Sequence, residues 1–406
     1  LIKALGFTPT GKKHMSLDLI IRLDTLRSPL SGIGYYTFHL LRELLIHPDI
    51  NDIIGISSTC TRNKQALHQL IQQYETSHLS DTTHINASRY IQNIPGAYIL
   101  LKKLIDLKEQ KAMIPYRQWL YHEPSFLSLQ HQGPSIVTVH DLSHLRHPET
   151  HPQHRVKLLN KKLPDTLNRA NHIITDSAFT RDELLDTHLV EDAARVSVVH
   201  LGVDPLFYPR PLEAIAPCLS ELGLTPQTYV LAIGTIEPRK NLPRLLRAYE
   251  RLPDHLKRSF SLVLVGARGW HDKQLLTDIK TLIPPGKVIC TGYLPREKLA
   301  AVLAGAAVFA FPSLYEGFGL PVLEAFASGV PVLTSNNSAL KEIAQDCALL
   351  TNPLDIDDIS DKLARLLGDT GKTDTLKQRG IQQAQKFSWR RCADLTVQAY
   401  QKAFFS

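Results

Sequence analysis

One feature constrains this chain more than any other. A short apolar stretch, a turn and an amphipathic stretch alternate along it, and the alternation runs twice. Leu17 to Ile21 reads as a first strand, a Gly-bearing loop runs from Ser28 to Gly34, and Tyr35 to Ile46 carries apolar residues at helical spacing. Further strands are expected at 53–56, 135–139, 172–175 and 196–199. Strands alternating with helices imply a parallel sheet covered on both faces. The rhythm breaks between Gly202 and Pro211, where Pro205, Pro209 and Pro211 hold the chain extended. It then restarts, with strands expected at 229–233, 261–265, 288–291, 307–311 and 332–334. Helices are expected at 242–251, 273–282, 296–304, 321–328 and 358–367. The architecture this implies is α/β: two Rossmann-like, doubly wound parallel-sheet domains facing a central cleft. The first spans 16–205 and the second 206–386.

Composition narrows the class. A chain of 406 residues suits two or three domains, and 43% apolar with 21% charged residues excludes disorder. The longest apolar run, Ala300 to Phe311, is interrupted by Gly305 and falls short of the roughly 20 residues a spanning helix needs. Residues 1–15 lack the apolar core of a secretory signal and are read as an extension or cloning remnant outside the fold. The net charge of +7 fits phosphate-bearing ligands, an anionic membrane surface or nucleic acid without choosing among them. Five scattered cysteines without a CxxC pair point to a reducing cytoplasm and no structural zinc.

The most informative stretch runs from Phe311 to Ala325. An apolar strand ends at Phe311, a loop with Gly317 and Gly319 follows, and Pro321 opens a helix where its missing N–H costs nothing. Ligands of open α/β sheets lie beyond the carboxyl ends of the strands. Glycines let the backbone approach a ligand, and a helix start offers free N–H groups to an anion. Glu316 in the loop and Glu324 in the first turn can face one pocket. Taken singly, Glu324 also reads as a favourable first-turn acid and Glu316 as a solvated loop residue.

Glu316 and Glu324, seven residues apart in a Gly-Phe-Gly-Leu-Pro context, resemble the E-x7-E signature of retaining GT-B glycosyltransferases, family 4. Gly234-Thr235-Ile236-Glu237-Pro238-Arg239-Lys240-Asn241 resembles that family's diphosphate-binding strand-loop. Leu264-Val265-Gly266 and Thr291-Gly292-Tyr293-Leu294 resemble its middle strand ends. Ala327 to Val332 matches the run after the second Glu. In the first half, Gly32-Ile33-Gly34-Tyr35-Tyr36 and Val139-His140-Asp141-Leu142-Ser143 resemble the Gly-rich loop and the HD motif. Thr235 stands where some relatives carry an Arg, so the cationic duty falls on Arg239 and Lys240 together. The resemblance implies an acceptor-side first domain, a nucleotide-sugar-binding second domain, and a final helix, 387–406, crossing back to the first.

The basic pair also has a physical warrant. Arg239 and Lys240 closely follow an apolar strand, at the sheet edge where ligands bind. Arg offers a planar fork and Lys a point charge, and each charge-assisted hydrogen bond to phosphate contributes roughly 1.5–3 kcal/mol. Such contacts strengthen as charge grows on a leaving phosphate. In isolation the pair also reads as a solvated turn. Two other patterns imitate metal sites. His140, His144, His147, His151 and His154 recur at near-helical spacing, but Pro148 and Pro152 interrupt them. Asp355-Ile356-Asp357-Asp358 opens a helix, and acidic capping accounts for it.

The resemblance therefore implies a cytoplasmic, metal-independent, retaining hexosyltransferase of cell-surface polysaccharide synthesis. Catalytic residues would be Glu316, His140, Arg239 and Lys240. The donor would be held by Gly32, Gly34, Gly234, Thr235, Arg239, Lys240, Gly266, Tyr293, Leu294, Glu316, Gly317, Phe318, Gly319, Leu320 and Glu324. Glu316 would bond the sugar hydroxyls, Glu324 the ribose, and His140 the donor sugar or acceptor. The motif combination looks most like bacterial mannosyltransferases using GDP-mannose. A UDP-glucose or UDP-N-acetylglucosamine donor is the alternative, and a non-catalytic nucleotide- or membrane-binding scaffold the alternative outside enzymes. The acceptor would be a saccharide or lipid-linked saccharide, and no cofactor is expected. Basic, helix-compatible segments at 101–111 and 155–163 fit either core-packing helices with solvated faces or peripheral contact with anionic lipid. No nucleic-acid-binding motif is present.

Overall fold

The computed structural model describes residues 16–26, 30–58, 60–76, 97–266 and 286–405, with positions 277, 279 and 281. The expected extension at 1–15, Ser28 and Pro29 of the first loop, and most of the helix expected at 273–282 lie outside these residues.

Two sheets organise the chain. The first contains β1 (Leu17–Arg22), β2 (Ile50–Ile56), β3 (Thr61–Arg62), β4 (Leu120–Glu123), β5 (Ser135–Val139), β6 (His172–Thr175) and β7 (Val196–Val198). Their order is β3-β2-β1-β4-β5-β6-β7, and all pairs are parallel except β2 with β3. The second contains β8 (Tyr229–Ile233), β9 (Ser261–Val265), β10 (Val288–Gly292), β11 (Val308–Phe311), β12 (Val332–Ser335) and β13 (Leu349–Thr351). Its order is β10-β9-β8-β11-β12-β13, all parallel. In each sheet the order reverses beside the first strand, which opens a crevice at the carboxyl ends of β1 and β8.

Apolar strands follow from burial on both faces. All five residues of β5 are buried, as are Leu19, Ile20 and Ile21 of β1. β4 is the exception and escapes the pattern-based reading, because Tyr121, His122 and Glu123 are polar yet fully inside. Their partners make that burial tolerable. His122 Nδ1 lies 2.7 Å from Tyr400 Oη and Nε2 lies 2.9 Å from Thr138 Oγ1. Glu123 accepts from Arg22 Nη1 at 3.2 Å and from the Tyr121 hydroxyl at 2.8 Å.

The first helix, Gly32–Leu44, begins before Tyr35 because Ser31 Oγ caps it by accepting the Gly34 N–H at 3.3 Å. The final helix, Trp389–Phe405, packs on helix Gly32–Leu44 and on β6, and its Trp389 ring stacks on His39 at 4.7 Å. Beside the linker, the Val203 N–H donates to Phe387 O at 3.1 Å, so the outgoing and returning chains touch. No described helix is long and apolar enough to cross a membrane.

Candidate active site

β11 delivers the loop Pro312–Gly319 to the crevice, and helix Leu320–Ala327 follows, with Pro321 in its first turn. The ends of β8 and β12 fasten that loop. Leu314 N donates to Arg239 O at 2.8 Å, Ser335 Oγ to Ser313 O at 2.6 Å and Asn337 Nδ2 to Leu314 O at 2.9 Å. Gly319, at φ 110°, makes the turn into the helix, and a Cβ there would meet Leu340 at 2.7 Å. The N–H groups of Gly317, Phe318, Gly319 and Leu320 make no hydrogen bond to another described residue. They are a set of free donors at a helix start.

Beside them Glu316 bridges both members of the basic pair. Its Oε2 accepts from Arg239 Nη1 and its Oε1 from Lys240 Nζ, each at 2.7 Å. Burial alone would raise this carboxyl, but the two cations prevail and hold it down at about 2. Arg239 is pinned further by Glu237 Oε1 and Tyr315 O, both at 2.7 Å. Burial opposes the guanidinium charge, while Glu316, Glu237 and Asp141 raise its pKa. The Lys240 ammonium sits over the Phe311 ring at 4.8 Å.

Deeper in the second domain a cavity of about 240 Å³ opens at the ends of β8, β9 and β10, lined by Gly234, Ile236, Gly266, Thr291 and Gly292 among others. Gly234 and Gly266 both have positive φ, and a Cβ on Gly266 would stand 1.9 Å from Gly234 O. Thr235 is exposed beside this cavity, Tyr293 is 49% exposed and Leu294 is buried.

Among the described residues the first domain reaches the loop Pro312–Gly319 through three sets of backbone and hydrogen-bond contacts. The carbonyl of His140 abuts Gly317, where a Cβ would lie 1.9 Å away. The Gly317 carbonyl accepts from Ser177 Oγ at 2.7 Å and Thr180 Oγ1 at 3.3 Å. The Tyr315 hydroxyl accepts from Leu142 N at 3.0 Å and donates to Glu183. His140 itself has an acceptor at each ring nitrogen, Asp176 Oδ2 at 2.7 Å from Nδ1 and Pro124 O at 2.8 Å from Nε2. Burial opposes its charge, but Asp176 and Pro124 raise its pKa. In this arrangement neither ring nitrogen is turned to the cleft, and His140 meets the second domain through its backbone.

Glu324 belongs to a separate ion-pair group. It is the fifth residue of its helix and lies beyond the first turn, so capping does not account for it. Its Oε1 accepts from Arg296 Nη1 at 2.8 Å. Gly34 is a packing glycine whose Cβ would meet Thr25 O at 2.8 Å, whereas Gly32 faces open space. Phe318 packs near His200 and Phe387. Sequence reasoning missed Tyr315, Arg296 and Glu183 as site residues. Tyr315 adjoins Glu316, but its first-domain partners lie far away along the chain.

The metal-like patterns have other partners. Asp355 Oδ1 caps its helix by accepting from Asp357 N and Asp358 N, Asp357 pairs with Arg251, and Asp358 pairs with Lys362 at 2.7 Å. His151 Nε2 lies 2.8 Å from Ser143 Oγ and His147 Nδ1 lies 3.2 Å from Glu149.

Two facing α/β domains, with a cation pair and a free helix start at the switch point of the second, define a GT-B glycosyltransferase. Residues 221–386 match the family described as Glycosyl transferases group 1, and residues 58–206 match Glycosyltransferase Family 4. O-antigen chain mannosyltransferase B of Escherichia coli is 32% identical over 384 residues, covering 95% of this chain and 99% of that protein. The MMP alpha-(1->4)-mannosyltransferase of Mycolicibacterium hassiacum is 32% identical over 267 residues, 61% of this chain and 56% of that protein. HepE of Anabaena, solved with UDP and glucose, superposes with a TM-score of 0.71 at 16% identity, over 95% of this chain and 99% of HepE. The chain belongs to the group 1, family 4 glycosyltransferases and is a hexosyltransferase.

Proposed function

We propose that the chain moves mannose from GDP-mannose, with retention at the anomeric carbon, to a saccharide or lipid-linked saccharide acceptor during cell-surface polysaccharide assembly. The observation that carries this reading is the Arg239–Lys240–Glu316 cluster beside the free N–H groups of Gly317 to Leu320. An arriving diphosphate takes over the two cations and the amides. Glu316, anionic at any physiological pH, turns to the sugar hydroxyls. As the glycosidic bond breaks, charge accumulates on the phosphate where the donors already point. These groups neutralise the leaving diphosphate without a metal ion. The base occupies the cavity beyond Gly234 and Gly266, and Glu324 takes the ribose hydroxyls. Closure of the domains at Gly317 excludes water and limits donor hydrolysis. The likeness to O-antigen chain mannosyltransferase B along 95% of the chain supports mannose as the sugar and polysaccharide as the product.

The acceptor meets the first domain. On helix Ala97–Met113 and the turn after it, Leu104, Leu107 and Ile114 are 56%, 53% and 59% exposed, among Lys108, Lys111 and Arg117. That face suits peripheral contact with anionic lipid at the cytoplasmic side of a membrane. Helix Gln153–Arg169, by contrast, buries Val156, Leu159 and Leu163 in the core and leaves its basic residues to solvent.

Calorimetry with GDP, UDP and ADP, followed by transfer from the matching sugars with and without EDTA, tests the reading. Tightest binding of GDP, and transfer from GDP-mannose that survives EDTA, is expected. Tighter binding of UDP replaces the donor with UDP-glucose or UDP-N-acetylglucosamine. Loss of transfer in EDTA overturns the metal-free mechanism.

A further inference from the structure

Arg296 joins the second domain, the linker and the first domain at one guanidinium. It opens helix Arg296–Ala304 and is 11% exposed. Nη1 holds Glu324 Oε1 at 2.8 Å, and Nη2 holds Asp204 Oδ2 in the linker at 3.1 Å. The plane of the guanidinium lies over two rings, Tyr35 of the first domain at 4.3 Å and Phe207 of the linker at 4.6 Å. Glu324 Oε2 makes no hydrogen bond to another described residue.

We propose that Arg296 is a positioning residue that aims Glu324 at the donor's ribose and makes that aim depend on domain closure. The inference rests on the reading of Glu324 as the ribose ligand. A carboxylate anchored through one oxygen by a fixed cation presents the other oxygen to a diol in one orientation. The anchor is itself fixed by Asp204 and by the stacking of Tyr35, and Tyr35 reaches it only when the first domain lies against the second. A lysine could supply the charge but neither the two-pronged bond nor the stacking surface.

The test is a double-mutant cycle read by calorimetric affinity for GDP, with UDP in parallel, together with donor KM and kcat. Glu324→Ala, Arg296→Ala and Arg296→Lys are each expected to weaken nucleotide binding about tenfold. In the Glu324→Ala background either Arg296 substitution is expected to add less than about twofold, because the group it aims is gone. Tyr35→Ala, which removes the stacking surface, is expected to weaken GDP binding about threefold or more, and Tyr35→Phe, which keeps the ring, to restore it. Unchanged affinity in Tyr35→Ala overturns the dependence on domain closure. A merely structural arginine would cost the same in both backgrounds. Unchanged GDP affinity in both Arg296 variants, or an equal penalty with and without Glu324, overturns the positioning role alone. Unchanged affinity in Glu324→Ala overturns the ribose reading first, and this proposal with it. Should Arg296→Ala fail to fold, Arg296→Lys completes the cycle.

Discussion

The carbonyl oxygen of His140 lies against Gly317 so closely that a Cβ on Gly317 would stand 1.9 Å from it. The two signature motifs of the two halves thus meet backbone to backbone. Because no side chain there can swing aside, Gly317→Ala must separate the domains by about 1 Å. A displacement of that size at a reacting centre costs about a hundredfold in rate. Gly317→Ala is therefore expected to lower kcat about a hundredfold. The melting temperature should fall as the bonds from Ser177 and Thr180 to the Gly317 carbonyl stretch, while the affinity for nucleotide, which the second domain binds, should change by less than about threefold. Steady-state kinetics beside a GDP titration checks this, and an unchanged kcat refutes the closed geometry as the working one.

Glu316 carries the next prediction. Replacing it with alanine removes a partner of the reacting sugar and leaves the cations free for the diphosphate. Transfer should fall at least about a hundredfold, while GDP affinity should change by less than about threefold. Glu316→Gln tests the electrostatics separately. The carboxyl is held at about 2 against its ordinary 4.5, so its stabilising contribution is present above pH 4.5 and is lost as pH falls toward 2. That difference corresponds to roughly 3 kcal/mol. Urea titrations at pH 5 and pH 3 should show wild type losing more stability than Glu316→Gln over that interval.

The pair of His140 and Asp176 titrates in the opposite sense. The Pro124 carbonyl requires an N–H on Nε2, and although burial raises Asp176, its carboxylate takes a second N–H from Nδ1, so the folded protein favours the imidazolium. A histidine raised in the folded state contributes fully below its ordinary value, and that contribution is lost as pH rises through the folded one. Asp176→Asn should lower the melting temperature more at pH 6 than at pH 9. An equal drop at both values would show that no proton leaves the pair between them.

How far the sequence revealed this molecule follows from where partners lie along the chain. Strands such as 135–139, 229–233 and 261–265 coincide with the apolar pattern because both their faces are buried. β4 was not legible, since His122 and Glu123 are made tolerable inside by Tyr400 and Arg22, 278 and 101 residues away. The same limit applied at the site. Glu316, Glu324, Arg239 and Lys240 could be named from local motifs, and the structure pairs Glu316 with both cations. That Glu324 has its own arginine could not, because Arg296 sits in an ordinary helix start and acquires its role only through Tyr35 and Asp204.

Gly202 and Gly32 make opposite predictions from the same substitution. Gly202 stands where the chain leaves the first domain, and a Cβ there would lie 2.2 Å from the backbone nitrogen of Trp389, where the final helix begins its return. Neither backbone can move alone, because the Val203 N–H is bonded to Phe387 O at 3.1 Å and Trp389 is stacked on His39. Gly202→Ala should therefore cost about 3 kcal/mol, the upper end of overpacking penalties. Gly32 begins a helix and faces open space, so Gly32→Ala should leave stability unchanged or raise it by up to about 1 kcal/mol. Thermal denaturation of the two variants side by side separates these cases. The Gly32 variant also tests its place in the site. If the backbone at Gly32 must approach the donor or acceptor, the added methyl will raise KM in a protein that is no less stable. If KM stays at wild type, Gly32 takes no part in binding.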